Sequence, residues 1–222
     1  MSDIKIYVVG GKENKFPAED DVRQRFYVNE THDGDNIDNL NPWYCELTGM
    51  YYMWKHETAD IVGLEHYRRN FIGKSGLLNS NEINEILKDH DVILYRMPFK
   101  QNAKQHMCGT GKQHELIIGL GMIYAKYGKS CSDYFFKNVT GDHVYLGNMF
   151  ICKKEIADKF FEFIFGILNE FDKIHQFKTP RIDGYIAEYF MEPWFRYNGY
   201  KIYDCDRQVL DKTGTRRLQN WA

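Results

Sequence analysis

No two cysteines in this chain stand at C-x-x-C spacing. The five that occur, Cys45, Cys108, Cys131, Cys152 and Cys205, are scattered and odd in number, which argues for reduced thiols in a cytosolic protein and against a disulfide frame. His106 and Cys108 could form half of a metal site, but no second pair stands at ligand spacing, so no metal ligand is assigned. Long apolar runs are missing too. Ile4 to Val9 is too short for a signal-peptide core, and nothing approaches the roughly 18 apolar residues of a membrane span. The chain therefore reads as cytoplasmic, with at most peripheral association at the inner face of the cell membrane. Charge of one sign is also lacking: 29 Lys and Arg against 31 Asp and Glu give a net charge of -2. Nucleic acid is excluded as a partner on that ground, and any anion site must be local. Neither G-x-G-x-x-G nor G-x-x-x-x-G-K-[ST] occurs, which disfavours dinucleotide and P-loop chemistry.

What the chain does have is apolar and aromatic mass. With 222 residues, 43% hydrophobic and 16% aromatic, it can bury the core of one α/β domain spanning 1–222. Ile4-Lys5-Ile6-Tyr7-Val8-Val9 predicts a buried strand that stops at Gly10-Gly11. Asn41 and Pro42 open a helix carrying Leu47, Met50, Tyr51 and Trp54 at helical spacing. Ile61 to Leu64 predicts a second strand, Ser80 or Asn81 a short helix, and Val92 to Tyr95 a third strand. Arg96 to Lys112 has no apolar period and reads as a loop. Further on, the pattern predicts a helix from Gln113 to about Tyr127, a strand Val144 to Cys152, a long helix Lys153 to Asp172, a helix Gly184 to Tyr197 and a strand Tyr200 to Tyr203. Such alternation implies a mostly parallel sheet covered on both faces, with ligands at the carboxyl ends of its strands.

Two polar clusters fall at those ends. Gly10, Gly11 and Lys12 follow the first strand, where glycines let backbone N–H groups approach a nucleotide and lysine can neutralise phosphate; a plain turn is the alternative. Glu65, His66, Tyr67, Arg68 and Arg69 follow the second. Adjacent arginines at a strand end cannot share a face, so one can grip a diphosphate while the other meets a carboxylate, the alternative being a solvated basic turn. The aromatics Trp43, Tyr44, Tyr51, Tyr52 and Trp54 could stack on a ligand, although such a stripe is more often core.

Asp35-Asn36-Ile37 with Asn41 and Tyr44 to Lys55, then Asp60 to Phe71, Tyr145 to Ile151 with Lys153-Lys154-Glu155, and Arg181 to Glu188 together resemble a bacterial family of domains of unknown function described as exopolysaccharide or capsular glycosyltransferases. The family commonly has Thr-His-Lys where this chain has Gly10-Gly11-Lys12, and often a cysteine where this chain has Glu65. The resemblance implies a single-domain, GT-A-like (Rossmann-like) nucleotide-diphosphosugar transferase fold. Since members include galactofuranosyltransferases, it also implies a UDP-sugar donor, UDP-galactofuranose first, and a glycan acceptor such as a lipid-linked oligosaccharide. Asn36 and Asn148, the latter matching a polar position in the strand before the long helix of similar transferases, join Gly10, Gly11, Lys12, His66, Arg68 and Arg69 as the expected donor-binding set.

Inverting transfer needs a carboxylate to deprotonate the acceptor hydroxyl. Glu188, within the Gly184 to Glu188 motif, is the candidate base, and Asp183, at the helix entrance, is the second candidate, with an N-cap role as its alternative. An acidic metal-binding pair would stand after Leu64; Glu65-His66-Tyr67 stands there instead, so fixed positive charge is expected in place of a required cofactor, while the Glu65 carboxylate keeps Mn or Mg open. A metal-dependent transferase using another UDP-hexose and a non-catalytic glycan- or nucleotide-binding module are the competing readings.

Overall fold

Ile4–Gly10 folds as the predicted first strand, β1, and its alternating side chains feed two cores, with Tyr7 and Val9 on one face of the sheet and Ile4 and Ile6 on the other. The computed structural model describes residues 2–97, 105–106, 109, 111–141, 145–211 and 215–219. Most of the loop predicted between Arg96 and Lys112, with Cys108 in it, and Val144 lie outside the described residues.

Strand β1 pairs in parallel with β2 (Arg23–Tyr27) and β3 (Ile61–His66). Beyond β3 the order continues through β7 (Tyr145–Lys153), β6 (Val92–Arg96) and β8 (Ile202–Asp204). At its carboxyl end β3 turns through Tyr67 and Arg68 into β4 (Arg69–Gly73), which pairs with β5 (Gly76–Leu77) and β9 (Arg207–Leu210); β10 (Arg216–Gln219) closes that edge. The larger core lies under four helices, α2 (Leu47–His56), α4 (Gln113–Val139), α5 (Lys154–His175) and α6 (Ile182–Tyr197). Phe160, Phe161, Ile164, Ile167 and Phe171 of α5 are wholly buried there, each worth roughly 1.5–3 kcal/mol of transfer free energy. The smaller core packs under α3 (Ser80–Asp89), through Ile83 and Leu87. Helix α3 starts where predicted because Asn79 and Glu82 form a reciprocal capping box. The aromatic stripe is core: Trp54 stacks on Phe165 with centroids 5.7 Å apart.

The sheet is mixed, and the expectation of a mostly parallel one is corrected. Among the described residues only β1/β2, β1/β3 and β6/β8 run parallel, while β7 runs antiparallel to both β3 and β6. The reason is Gly128. Its φ of +82° breaks α4, and Ser132 Oγ bonds the Leu120 carbonyl at 3.3 Å, a contact that requires the helix to double back. A crossover with one helix returns the chain for a parallel strand; one that reverses midway delivers it from the opposite end.

Candidate functional site

The predicted helix from Asn41 to Trp54 does not run through. It stops after α1 (Asn41–Tyr44), because Cys45 has φ +52° and ψ -122°, and restarts at Leu47. That break points Glu46 into a cavity of about 760 Å³ at the carboxyl ends of β1 and β3. A second irregularity forms the opposite wall: the β6/β7 register shifts between Leu94 and Arg96, where Gly147 has φ +107° and Asn148 φ +50°. The third is Arg181, φ +64°, at the entry to α6. Residues held in such regions cost of order 1–3 kcal/mol each and gather at functional sites.

Gly147 is the hub of the arrangement. Its carbonyl accepts from His66 Nε2, which fixes the imidazole proton on that nitrogen. Burial holds the His66 pKa down at about 4, Glu46 working in the opposite sense, so the ring is neutral at pH 7. The Gly147 N–H faces Glu188. The Glu188 carboxyl is pushed up to about 8, first by burial and then by the neighbouring charge of Glu46, with Arg69, the Gly147 amide and Arg181 pulling the other way. Glu46 Oε1 accepts from Asn148 Nδ2 at 2.8 Å, and the same amide donates to the Gly184 carbonyl at 2.9 Å. Around these two carboxylates stand Arg68, Arg69, Arg181 and Arg207. Among the described residues none of the four makes an ion pair with a carboxylate. The cavity gathers four guanidinium groups around a carboxylate of raised proton affinity in its wall.

The predicted residues divide accordingly. His66, Arg68, Arg69, Gly10 and Glu188 line the cavity, and Asn148 stands behind it, buried. Gly10 is needed for packing, since a Cβ there would come within 2.8 Å of the Tyr67 ring. Gly11 and Lys12 fall outside: the Gly11 N–H caps Asn14 Oδ1 at 2.7 Å, and the exposed Lys12 pairs with Glu30 at 2.6 Å. Asn36 is a loop staple, donating to the carbonyls of His32 and Gly34 at 2.7 and 3.0 Å. Asp183 is likewise misplaced as a catalytic candidate. It lies about 140° around the helix from Glu188, fully buried beside Asp172, whose Oδ2 accepts from Tyr44 at 2.7 Å. Glu65, which kept a metal open, is buried at the same strand end but on the other face, held by Arg23 through two 2.9 Å bonds, by Asn70 at 3.0 Å and by the Phe71 N–H at 3.1 Å. Among the described residues no three His, Cys, Asp or Glu side chains converge to hold a metal. The carboxylate after β3 is committed to Arg23, so no step is routed through an ion there.

Sequence reading missed Glu46, Arg181, Arg207 and His106, whose Nδ1 meets the Tyr189 hydroxyl at the cavity edge. Glu46 and Arg181 carried a signal as members of the motif stretches, and His106 only as half of a possible metal pair; Arg207 carried none.

The Asp183 carboxyl is pushed up to about 8 by burial and by Asp172. The folded state therefore binds more protons than the unfolded one between about pH 4 and 8; this contribution to stability is complete below that window, declines through it and is flat above. Asp183→Asn should flatten the dependence of Tm on pH and overtake the parent protein towards pH 8, against a limiting slope of about 1.4 kcal/mol per pH unit. Parallel Tm profiles for the two proteins would contradict the buried pair.

No curated protein is similar enough to count as a match. Among solved structures, the apo structure of the bifunctional glycosyltransferase WbbM superposes with a TM-score of 0.78 at 21% identity, over 92% of this chain and 45% of that one. This chain thus spans less than half the length of that protein, and the likeness is one of fold, an α/β arrangement. No helix among the described residues is long and apolar enough to cross a membrane. The model of the domain of unknown function DUF4422 matches residues 5–199, a stretch that takes in β1, the α1–α2 break, the β3 end, the Gly147 bulge and Glu188, and the chain belongs to that family.

Proposed function

We propose that this chain is a glycosyltransferase that moves a hexosyl group, galactofuranose first, from a UDP-sugar to a hydroxyl of a growing bacterial surface glycan (capsule, exopolysaccharide or O-antigen) carried on a lipid-linked oligosaccharide. The observation that carries the reading is the union, in one cavity at the carboxyl ends of β1 and β3, of Glu188 with guanidinium groups that make no ion pair among the described residues. In an inverting transfer the acceptor oxygen attacks the anomeric carbon as the bond to the diphosphate breaks. The hydroxyl proton passes to the Glu188 carboxylate, and the electron pair leaves on the diphosphate, whose charge Arg69 and Arg68 stabilise. Neutral His66, held by the Gly147 carbonyl, supports the wall without adding charge.

Arg69 is half-buried and Arg68 exposed, so their contributions should differ. Arg69→Ala is expected to weaken UDP binding by ~10–100-fold, the equivalent of a charge-assisted bond of about 1.5–3 kcal/mol, and Arg68→Ala by less, because its contact is solvent-screened. Titration calorimetry reads both, and unchanged affinity in Arg69→Ala would reject the assignment. The function itself is tested by incubating the protein with UDP-galactofuranose and other UDP-hexoses, with EDTA or with manganese. Release of free UDP that survives EDTA is the expected result. UDP binding with no turnover across the panel would favour the binding-module reading, and loss in EDTA rescued by manganese the metal-dependent one.

A further inference from the structure

Arg207 is a buried cation built to point. Only 4% of it is exposed, its guanidinium carbon lies 3.7 Å from the Tyr95 ring centroid, and Nε and Nη2 both donate to Gln219 Oε1, at 3.1 and 3.0 Å. Nη2 also meets Met97 Sδ at 3.5 Å. These contacts fix the plane of the group and leave Nη1, in the cavity wall, without a hydrogen-bond partner among the described residues. What that nitrogen faces is shared with Arg69. A Cβ built on Gly147 would sit 3.6 Å from Arg69 Nη1 and 3.7 Å from Arg207 Nη1, so the two nitrogens flank one spot and lie within about 7 Å of each other. Because Gly147 has φ +107°, a side chain is disfavoured there and the spot stays open.

We propose that Arg69 and Arg207 form a phosphate subsite over Gly147, taking one phosphoryl group through a charge-assisted bond from each Nη1. This rests on the reading of the cavity as a nucleoside-diphosphate site. The span suits a phosphate, two of whose oxygens can each accept at about 2.8 Å from separate guanidinium groups. Electrostatics agree. Burial first, and then Arg69, hold the Arg207 pKa down at about 10, with Tyr95 and Glu188 working in the opposite sense. Two such guanidinium groups are costly to bury unpaired, and a phosphate removes the cost. The phosphate can come from the donor diphosphate or from the diphosphate of a polyprenyl-linked acceptor.

The test is calorimetric titration of Arg207→Gln, Arg207→Lys and Arg69→Gln with UDP, inorganic pyrophosphate and a water-soluble polyprenyl diphosphate. Arg207→Gln is expected to lose ~10–100-fold in pyrophosphate affinity, with Arg207→Lys, which keeps the charge but not the fork, in between; the lysine variant stands in should the glutamine variant fail to fold. A parallel loss for UDP supports the subsite with the donor as source. A loss confined to pyrophosphate and polyprenyl diphosphate supports it with the acceptor as source. Unchanged affinity for all three overturns it. If UDP binding falls in Arg69→Gln while neither Arg207 variant loses affinity for any of the three ligands, the subsite is wrong and the diphosphate reading stands; if no variant loses affinity for any of them, both are wrong.

Discussion

Glu188→Gln is expected to lower turnover by ~10²–10⁴-fold, the usual contribution of a positioned general base, with UDP affinity held within a few-fold of the parent protein. The amide keeps the shape of the carboxylate and can accept from the Gly147 N–H, so the arginines that would hold the diphosphate stay in place. The pH profile gives a second readout. With the Glu188 carboxyl pushed up to about 8 by burial and Glu46, the base form is the minority at neutral pH. The rate should climb about tenfold per pH unit below that value and level off above it. Asp183→Asn is the control, because Asp183 lies outside the cavity, and should retain turnover. A Glu188→Gln enzyme with full activity and an unchanged profile would take the base away from this residue.

The largest stability effect should come from the far side of the same strand. Glu65 and Arg23 form a bidentate pair in which both side chains are essentially fully buried, at 0% and 1% exposure. Burial opposes the charge on Arg23, but Glu65, and Asp20 after it, outweigh that and keep the guanidinium charged. Glu65→Ala would leave that buried charge with Asp20 as its one remaining carboxylate among the described residues and should cost about 3–5 kcal/mol, whereas replacing both partners, as Arg23→Met with Glu65→Leu, should recover most of the loss. Urea denaturation separates the two cases. A single variant within 1 kcal/mol of the parent protein would mean that water reaches Arg23 and that the pair is not the core element described here.

That pair also explains what the sequence hid. Strands β1, β3 and β6 are legible because β-branched and apolar residues occupy their buried positions. Strand β2, Arg-Gln-Arg-Phe-Tyr, is not, since its innermost residue is an arginine whose partner lies 42 positions away. Strand direction was hidden too: the existence of β7 follows from its apolar run, but its antiparallel sense depends on the second helical arm after Gly128, which lies beyond the helix end expected at about Tyr127. At the site, the cluster after β3 was visible because two arginines and a histidine follow a strand. Glu46 was not, because neither glycine nor proline announces the break at Cys45, and an unbroken helix would place Glu46 on a solvated face. Arg207 is a lone arginine until the fold brings it to Gly147. Asp183 and Glu188 share a motif, but helical rotation sends one into the core and the other into the cavity.

The pairing of β3 also bears on how the chain is made. One side of β3 is covered early, by β1, but the other is covered by β7, with Ile61 opposite Lys153 and Leu64 opposite Phe150. During synthesis from the N-terminus that side waits for about 80 further residues, several seconds at about 5–20 residues per second. In that interval Ile61 to Leu64 form an unpaired, apolar edge of the kind that recruits other chains. The strand that presents His66 to the cavity is therefore also the nascent chain's main exposure to aggregation, and slower elongation between α3 and β7 would lengthen it.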